Sequence, residues 1–207
     1  MNRIKLIALL AVVLIITNCT QTRVVSFTDP DANGKLYNRI AVIANVDDLS
    51  DRLAIESKMV KTLDDKGVTS VSSLILFPPT REFTVEQENE VFKNNKVEAL
   101  AVIEIRDTGF HVSSEPINIH TETQKDDDKE VTGTTVSGGR TERKAFGQLR
   151  VSLIDVDSGK TMWIGDADAQ SFFDTDNPDW DMAYLLKASS KKIAKELIKT
   201  GLIKINK

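Results

Sequence analysis

Apolar residues along this chain fall into three kinds of run, and each kind predicts a different element. The first is continuous: residues 6–16 read LIALLAVVLII without a polar side chain, after a start that carries Arg3 and Lys5. The second is short and rich in Ile and Val, at 37–46 (YNRIAVIANV), 68–77, 97–105 (VEALAVIEI), 147–154 and 161–169. Runs of this length between turn residues predict strands. The third recurs at helical spacing, as Leu53, Ile55, Met59, Val60 and Leu63, then Val85, Val91 and Phe92, then Trp180, Ala183, Leu186, Ile193, Ala194 and Leu197. These predict helices over 51–66, 84–95 and 177–201.

Start and stop signals agree with the periodicity. Asp48 or Ser50 can cap the first helix, and Gly67 supplies a left-handed stop. Thr84 followed three residues later by Gln87 has the form of a capping box, and Pro178 suits the first turn of the last helix. Strand–helix–strand–helix–strand order implies parallel pairing with right-handed crossovers. Asp157-Ser158-Gly159-Lys160 between the last two strands implies a hairpin. The fold class expected is α/β: a single mixed sheet with parallel strand–helix–strand units, an antiparallel hairpin and a long C-terminal helix. Two stretches stand outside the pattern. Residues 19–35 are polar, with Pro30 and Asp-Ala-Asn-Gly, and read as a tether. The insertion 113–142 is polar, with a DDD run and a Gly-Gly, and reads as a solvated loop or a long polar hairpin. The α/β domain is expected over 36–207.

The continuous run changes the picture. A spanning helix needs about 20 apolar residues. An apolar run of 7–15 after a basic start is the signature of a secretory signal, which assigns 1–18 to a signal peptide. The only cysteine follows at once, and Ile16-Thr17-Asn18-Cys19 resembles a bacterial lipobox, with Asn18 where Gly, Ala or Ser is usual. The resemblance implies a diacylglyceryl group on the Cys19 thiol and cleavage just before it. Thr20, in place of Asp, implies outer-membrane retention, with the domain facing the periplasm. Composition is ordinary for a globular chain, at 41% hydrophobic and 28% charged, with a net charge of −4. Losing 1–18 would remove Arg3 and Lys5 and no acid, so the mature chain is more acidic still, which disfavours nucleic acid as a partner.

The motif set resembles a known group: NRIAVIANV, a helix closing at LDDKGV, EALAVIEI, a polar insertion, VSLIDVDSGKTMWIGDA and a last helix closing at KTGLI. It is similar to small bacterial lipoproteins whose domain also occurs in the curli secretion lipoprotein, the lipoprotein activator of penicillin-binding proteins and the amino-terminal domain of TolB. The likeness covers about 36–205, and its most specific piece is Asp155 to Trp163. It implies an envelope protein that acts by binding other proteins, with no shared reaction. One member type turns its insertions into membrane-spanning hairpins. Here only Ile117 and Ile119 alternate before Thr and charge take over, so a pore is not expected.

Tests for chemistry return little. Ser189-Ser190-Lys191-Lys192 and Lys199-Thr200-Gly201 match S-x-x-K and K-T-G of penicillin-recognising enzymes, but both fall on one predicted helix. Asp155 to Gly159 begins like a calcium loop yet lacks its later acidic ligands, and reads as a turn. Asp174, Asp176, Asp179 and Asp181 complement a helix N-terminus. His111, His120 and one cysteine cannot build a Cys/His zinc cluster. No catalytic residue, cofactor or metal is therefore expected. Lys187, Lys191, Lys192, Lys195 and Lys199 form a basic stripe on the last helix, a solvated face or a candidate partner surface. The expected function is a non-catalytic lipoprotein, held to the membrane through Cys19, that binds another envelope protein by a sheet edge or the insertion. The alternatives are a carrier or chaperone for a small hydrophobic ligand, which needs a sizeable apolar pocket, and a hydrolase using acids such as Glu104, Asp107 or Asp166.

Overall fold

The computed structural model describes residues 21–114, 118–126, 129–137, 141–171 and 178–206. The strands are β1 (Gln21–Thr28), β2 (Arg39–Asn45), β3 (Thr69–Ser72), β4 (Ala99–Ser114), β5 (Asn118–Asp126), β6 (Lys129–Ser137), β7 (Thr141–Asp155) and β8 (Thr161–Gln170). The helices are α1 (Leu49–Asp64), α2 (Ser73–Leu76), α3 (Val85–Asn94) and α4 (Pro178–Lys199). One sheet runs β1-β8-β7-β4-β2-β3, and β5 and β6 pair as a separate hairpin. β2 pairs parallel with β3 and β4, and every other neighbour is antiparallel. The architecture is the mixed α/β one that the patterning demands.

Caps form where the sequence placed them. The Asp48 carboxylate accepts the Ser50 and Asp51 N–H groups at 2.8 and 3.0 Å. Thr84 and Gln87 make a reciprocal capping box at α3. Gly67 (φ +82°) ends α1, and a Cβ there would lie 2.5 Å from the Asn206 carbonyl oxygen. That close approach lets the chain end lie along Tyr37 and Gly67, through Tyr37 N–H to Leu202 O, Lys204 N–H to Tyr37 O and Asn206 N–H to Gly67 O.

Two expectations need correction, and one left open between two readings is decided for the described residues. The segment read as a tether, 19–35, is built into the sheet from Gln21: β1 pairs residue for residue with β8, from Gln21 with Gln170 to Thr28 with Trp163. Without it β8 would expose a row of unpaired backbone groups, and an edge strand needs apolar residues on one face only. Thr22 is buried and Val24 packs against the core, a pattern too short to stand out among polar neighbours. A single 3-10 turn, Pro30–Ala32, follows, capped by Asp29. Cys19 lies outside the described residues. Second, the apolar run 68–77 is not one strand: it turns into α2 at Ser73, where the Ser72 hydroxyl accepts the Leu74 N–H. Third, β4 and β7 run on into the insertion 113–142, pairing as far as Ser114 with Thr141, and its described remainder is the hairpin β5–β6. Of the two readings offered, the described residues adopt the polar hairpin.

The core lies on one face of the sheet. Ile40, Val42, Ala101, Ile103, Val151, Leu153, Trp163 and Ala167 meet Ile55, Met59 and Leu63 of α1 and Ile193, Ala194 and Leu197 of α4. A second cluster of Ala41, Val71, Leu76, Phe92 and Val97 covers the other face only at the β3–β2 end. Trp163 is fully buried, and its indole lies over Gly165, where a Cβ would fall 2.3 Å from the ring. Neither rigid group can retreat. Gly165→Ala is therefore expected to destabilise the fold by about 2–3 kcal/mol through overpacking, read as the midpoint of urea unfolding. An unchanged midpoint would mean that the indole does not lie there.

Candidate interaction surface

The part of the sheet left uncovered by the described residues is where the structure departs from an ordinary closed domain. Register aligns three rows of side chains across β1, β8, β7 and β4: Phe27–Ile164–Ser152–Val102, then Val25–Asp166–Arg150–Glu104, then Arg23–Asp168–Gln148–Asp107. These residues alternate with core residues and so point away from α1 and α4. Phe27 is 66% and Val25 55% exposed. In the middle row Arg150 grips Asp166 bidentately, Nε–Oδ1 and Nη2–Oδ2 both at 2.7 Å, and Arg106 meets Glu104 at 3.0 Å. The hydrogen bond from Arg150 holds the Asp166 carboxyl below its ordinary value. At the far end His111 stacks on Phe146 (centroids 4.5 Å apart), and Gly109 beneath leaves room for the ring. With Arg23, Gln148, Asp168 and Gln170 they line a shallow cleft of about 260 Å³.

The two edges of the sheet differ. β3 is four residues long, and the chain end covers it, with Asn206 Nδ2 donating to Thr69 Oγ1 at 2.8 Å. β1 has eight residues and pairs only with β8 among the described residues.

Lys191, Lys192, Lys195 and Lys199 are exposed on α4, as the spacing implied. The side chain of Lys187 lies outside the described residues. Lys192 Nζ donates to the Thr22 carbonyl of β1, and Lys199 pairs with Glu196 at 2.6 Å. Ser189 and Ser190 are buried, and the Ser190 hydroxyl donates to the Leu186 carbonyl, so the S-x-x-K match is helix interior. Gly201 (φ +75°) ends the helix, which accounts for the K-T-G match.

The acids offered for hydrolysis are spoken for or spread out. Glu104 and Asp166 are ion-paired, and Asp107 is exposed one row away. The carboxylate that sequence reasoning missed is Glu56, fully buried between α1 and the strand ends. It accepts the Ala44 N–H (3.0 Å), the hydroxyls of Ser72 (2.5 Å) and Ser73 (2.7 Å), the Leu74 N–H (3.2 Å) and Arg52 Nε (3.0 Å). Its signal was an acid set between Ile55 and Met59 on the apolar face of the helix. Burial pushes this carboxyl up, but the bonds from Ser72, Ala44, Ser73 and Arg52 outweigh burial and hold it below the usual range. Asp155, read as a turn residue, is also buried and tied to Lys35, Tyr37 and Ser158. Burial pushes that carboxyl up as well, and those hydrogen bonds drive it far down.

Beside Glu56 an open groove of about 430 Å³ runs between Phe77, Phe83 and Phe92 and carries Arg52, Arg81 and Glu88 on its walls. Half polar and open to solvent, it is not the enclosed apolar pocket that a carrier needs. Among the described residues no three His, Cys, Asp or Glu side chains converge to hold a metal, and no helix is long and apolar enough to cross a membrane.

No family model matches the chain, and no curated protein matches it. Solved structures similar to it include a PelC dodecamer from Paraburkholderia phytofirmans (11% identity, 86% of this chain and 97% of that one, TM-score 0.46). The lipoprotein GNA1162 from Neisseria meningitidis is similar at 13% identity, over 76% and 98% of the two chains, with a TM-score of 0.41. A minor lipoprotein from Acinetobacter baumannii is similar at 9% identity, over 79% and 91%, with a TM-score of 0.32. The curli-type resemblance rests on the sequence motifs alone.

Both buried carboxyls titrate below their unfolded values of about 4. Their stabilisation is therefore complete above about pH 4 and lost as pH falls further. Glu56→Gln is expected to cost about 2 kcal/mol at neutral pH and to flatten the acid limb of a stability–pH curve. An equally steep acid limb in the variant would show that Glu56 is not the group being protonated.

Proposed function

We propose that this chain is an exported lipoprotein, held by acyl chains on Cys19 at the periplasmic face of the outer membrane, whose domain binds another envelope protein through the bare face of β1, β8, β7 and β4. The observation that carries the reading is the exposure of Phe27 and Val25 on a sheet whose opposite face carries the packed core. An aromatic left on an edge strand in water is a liability unless something covers it. The row Phe27–Ile164–Val102 supplies apolar contact, the Arg150–Asp166 ladder beside it sets register, and the edge of β1, unpaired among the described residues, can add a strand from the partner. Acyl chains hold such a domain at a membrane with no spanning helix, each buried methylene contributing about 0.8 kcal/mol.

Two variants test the two halves. Cys19→Ala should lose the mass of the acyl groups and leave the membrane fraction; an unacylated, soluble wild type would make Asn18 the decisive departure from the lipobox and end the anchoring half. Phe27→Asp should stay folded and acylated while losing its chemically cross-linked envelope partner at least about tenfold, as loss of a buried aromatic anchor does. An unchanged cross-linking pattern would remove the bare face from the binding role.

A further inference from the structure

We infer that the lysine face of α4 lies on the anionic lipid headgroups beside the acylated Cys19, so that the domain sits on the membrane in one orientation. This rests on the lipoprotein reading above and goes beyond it. Because β1 begins at Gln21, only Thr20 separates Cys19 from the sheet, and two residues of chain span at most about 7 Å. So short a link keeps the domain close to its anchor. The strand that starts there is pinned to α4, since Lys192 Nζ donates to the Thr22 carbonyl, three residues from the acylation site. Lys191 and Lys195 share the exposed side of that helix with Lys192, and neither has an ion-pair partner among the described residues. In a chain of net charge −4 this sets the lysine face of α4 beside the start of β1, no more than about 10 Å of chain from Cys19, where positive charge gains most from anionic headgroups. α4 packs on the core face of the sheet, so a membrane against its lysines leaves the bare face clear for a protein partner.

The test uses the full acylated protein on vesicles of phosphatidylcholine alone and of phosphatidylcholine with one part in four phosphatidylglycerol. Flotation reports the anchor, and the rate of amine acetylation, read by mass spectrometry at each lysine, reports the surface. The protein should float with both vesicles. Lys191 and Lys195 should acetylate about fivefold more slowly on the anionic ones, high salt should abolish the difference, and Lys61 and Lys66 at the end of α1 should not change. Flotation with equal rates on both vesicles would overturn the lipid contact and leave the anchor standing. Equal rates on vesicles but slowing in native envelopes would overturn it in favour of an acidic protein partner. Failure to float on neutral vesicles would overturn the anchor and the contact with it.

Discussion

Six strands spaced about 4.8 Å apart make a sheet about 24 Å across, and two helices each about 10 Å wide can cover only one side of it. Everything distinctive in this molecule follows from that shortage of helix. α1 and α4 pack the main core against one face. For the other face the described residues supply only the four residues of α2 and the ten of α3, enough for β3, β2 and the adjoining strand ends. The second face of β4, β7, β8 and β1 must then be made tolerable to water or be covered by something else. The sequence does both, in neighbouring rows. The Arg150–Asp166 and Glu104–Arg106 pairs keep the centre solvated, while Phe27, Val25 and Ile164 keep an apolar margin at the free edge.

Two buried carboxylates hold this lopsided arrangement in register. Glu56 joins α1 to the end of β2 and to the β3–α2 corner, accepting five hydrogen bonds from backbone and side-chain donors. Asp155 joins the β7–β8 hairpin to the segment before β2, through Lys35 and Tyr37. Hydrophobic burial supplies the bulk of the stability and is non-directional. These acids add direction, because each accepts only from particular donors at particular distances.

What the sequence made legible follows the reach of each interaction. Helices and central strands were readable because their signals are local: Thr84 with Gln87, Gly67 and Gly201, and the unbroken apolar run of β4. β1 was not, since a strand buried on one face shows its alternation only against a partner 140 residues away in the chain. The break at Ser73 was hidden for the same reason: the group that makes the corner, Glu56, lies in another element. Lys192 was recognised as part of a basic stripe, but its bond to Thr22 spans 170 residues. The bare face could not be read at all before register was known. It consists of single residues drawn from four strands, each flanked in sequence by core residues of opposite character.

The central claim is that the bare face is covered in the cell. A photo-cross-linking amino acid at position 164, on the apolar margin of that face, tests it most directly when compared in native envelopes with one at position 58 on α1. Under this account position 164 yields a discrete adduct with one envelope protein and position 58 yields none. Equal yields at the two positions, or no adduct at 164 in a chain shown to be folded and membrane-bound, would contradict it.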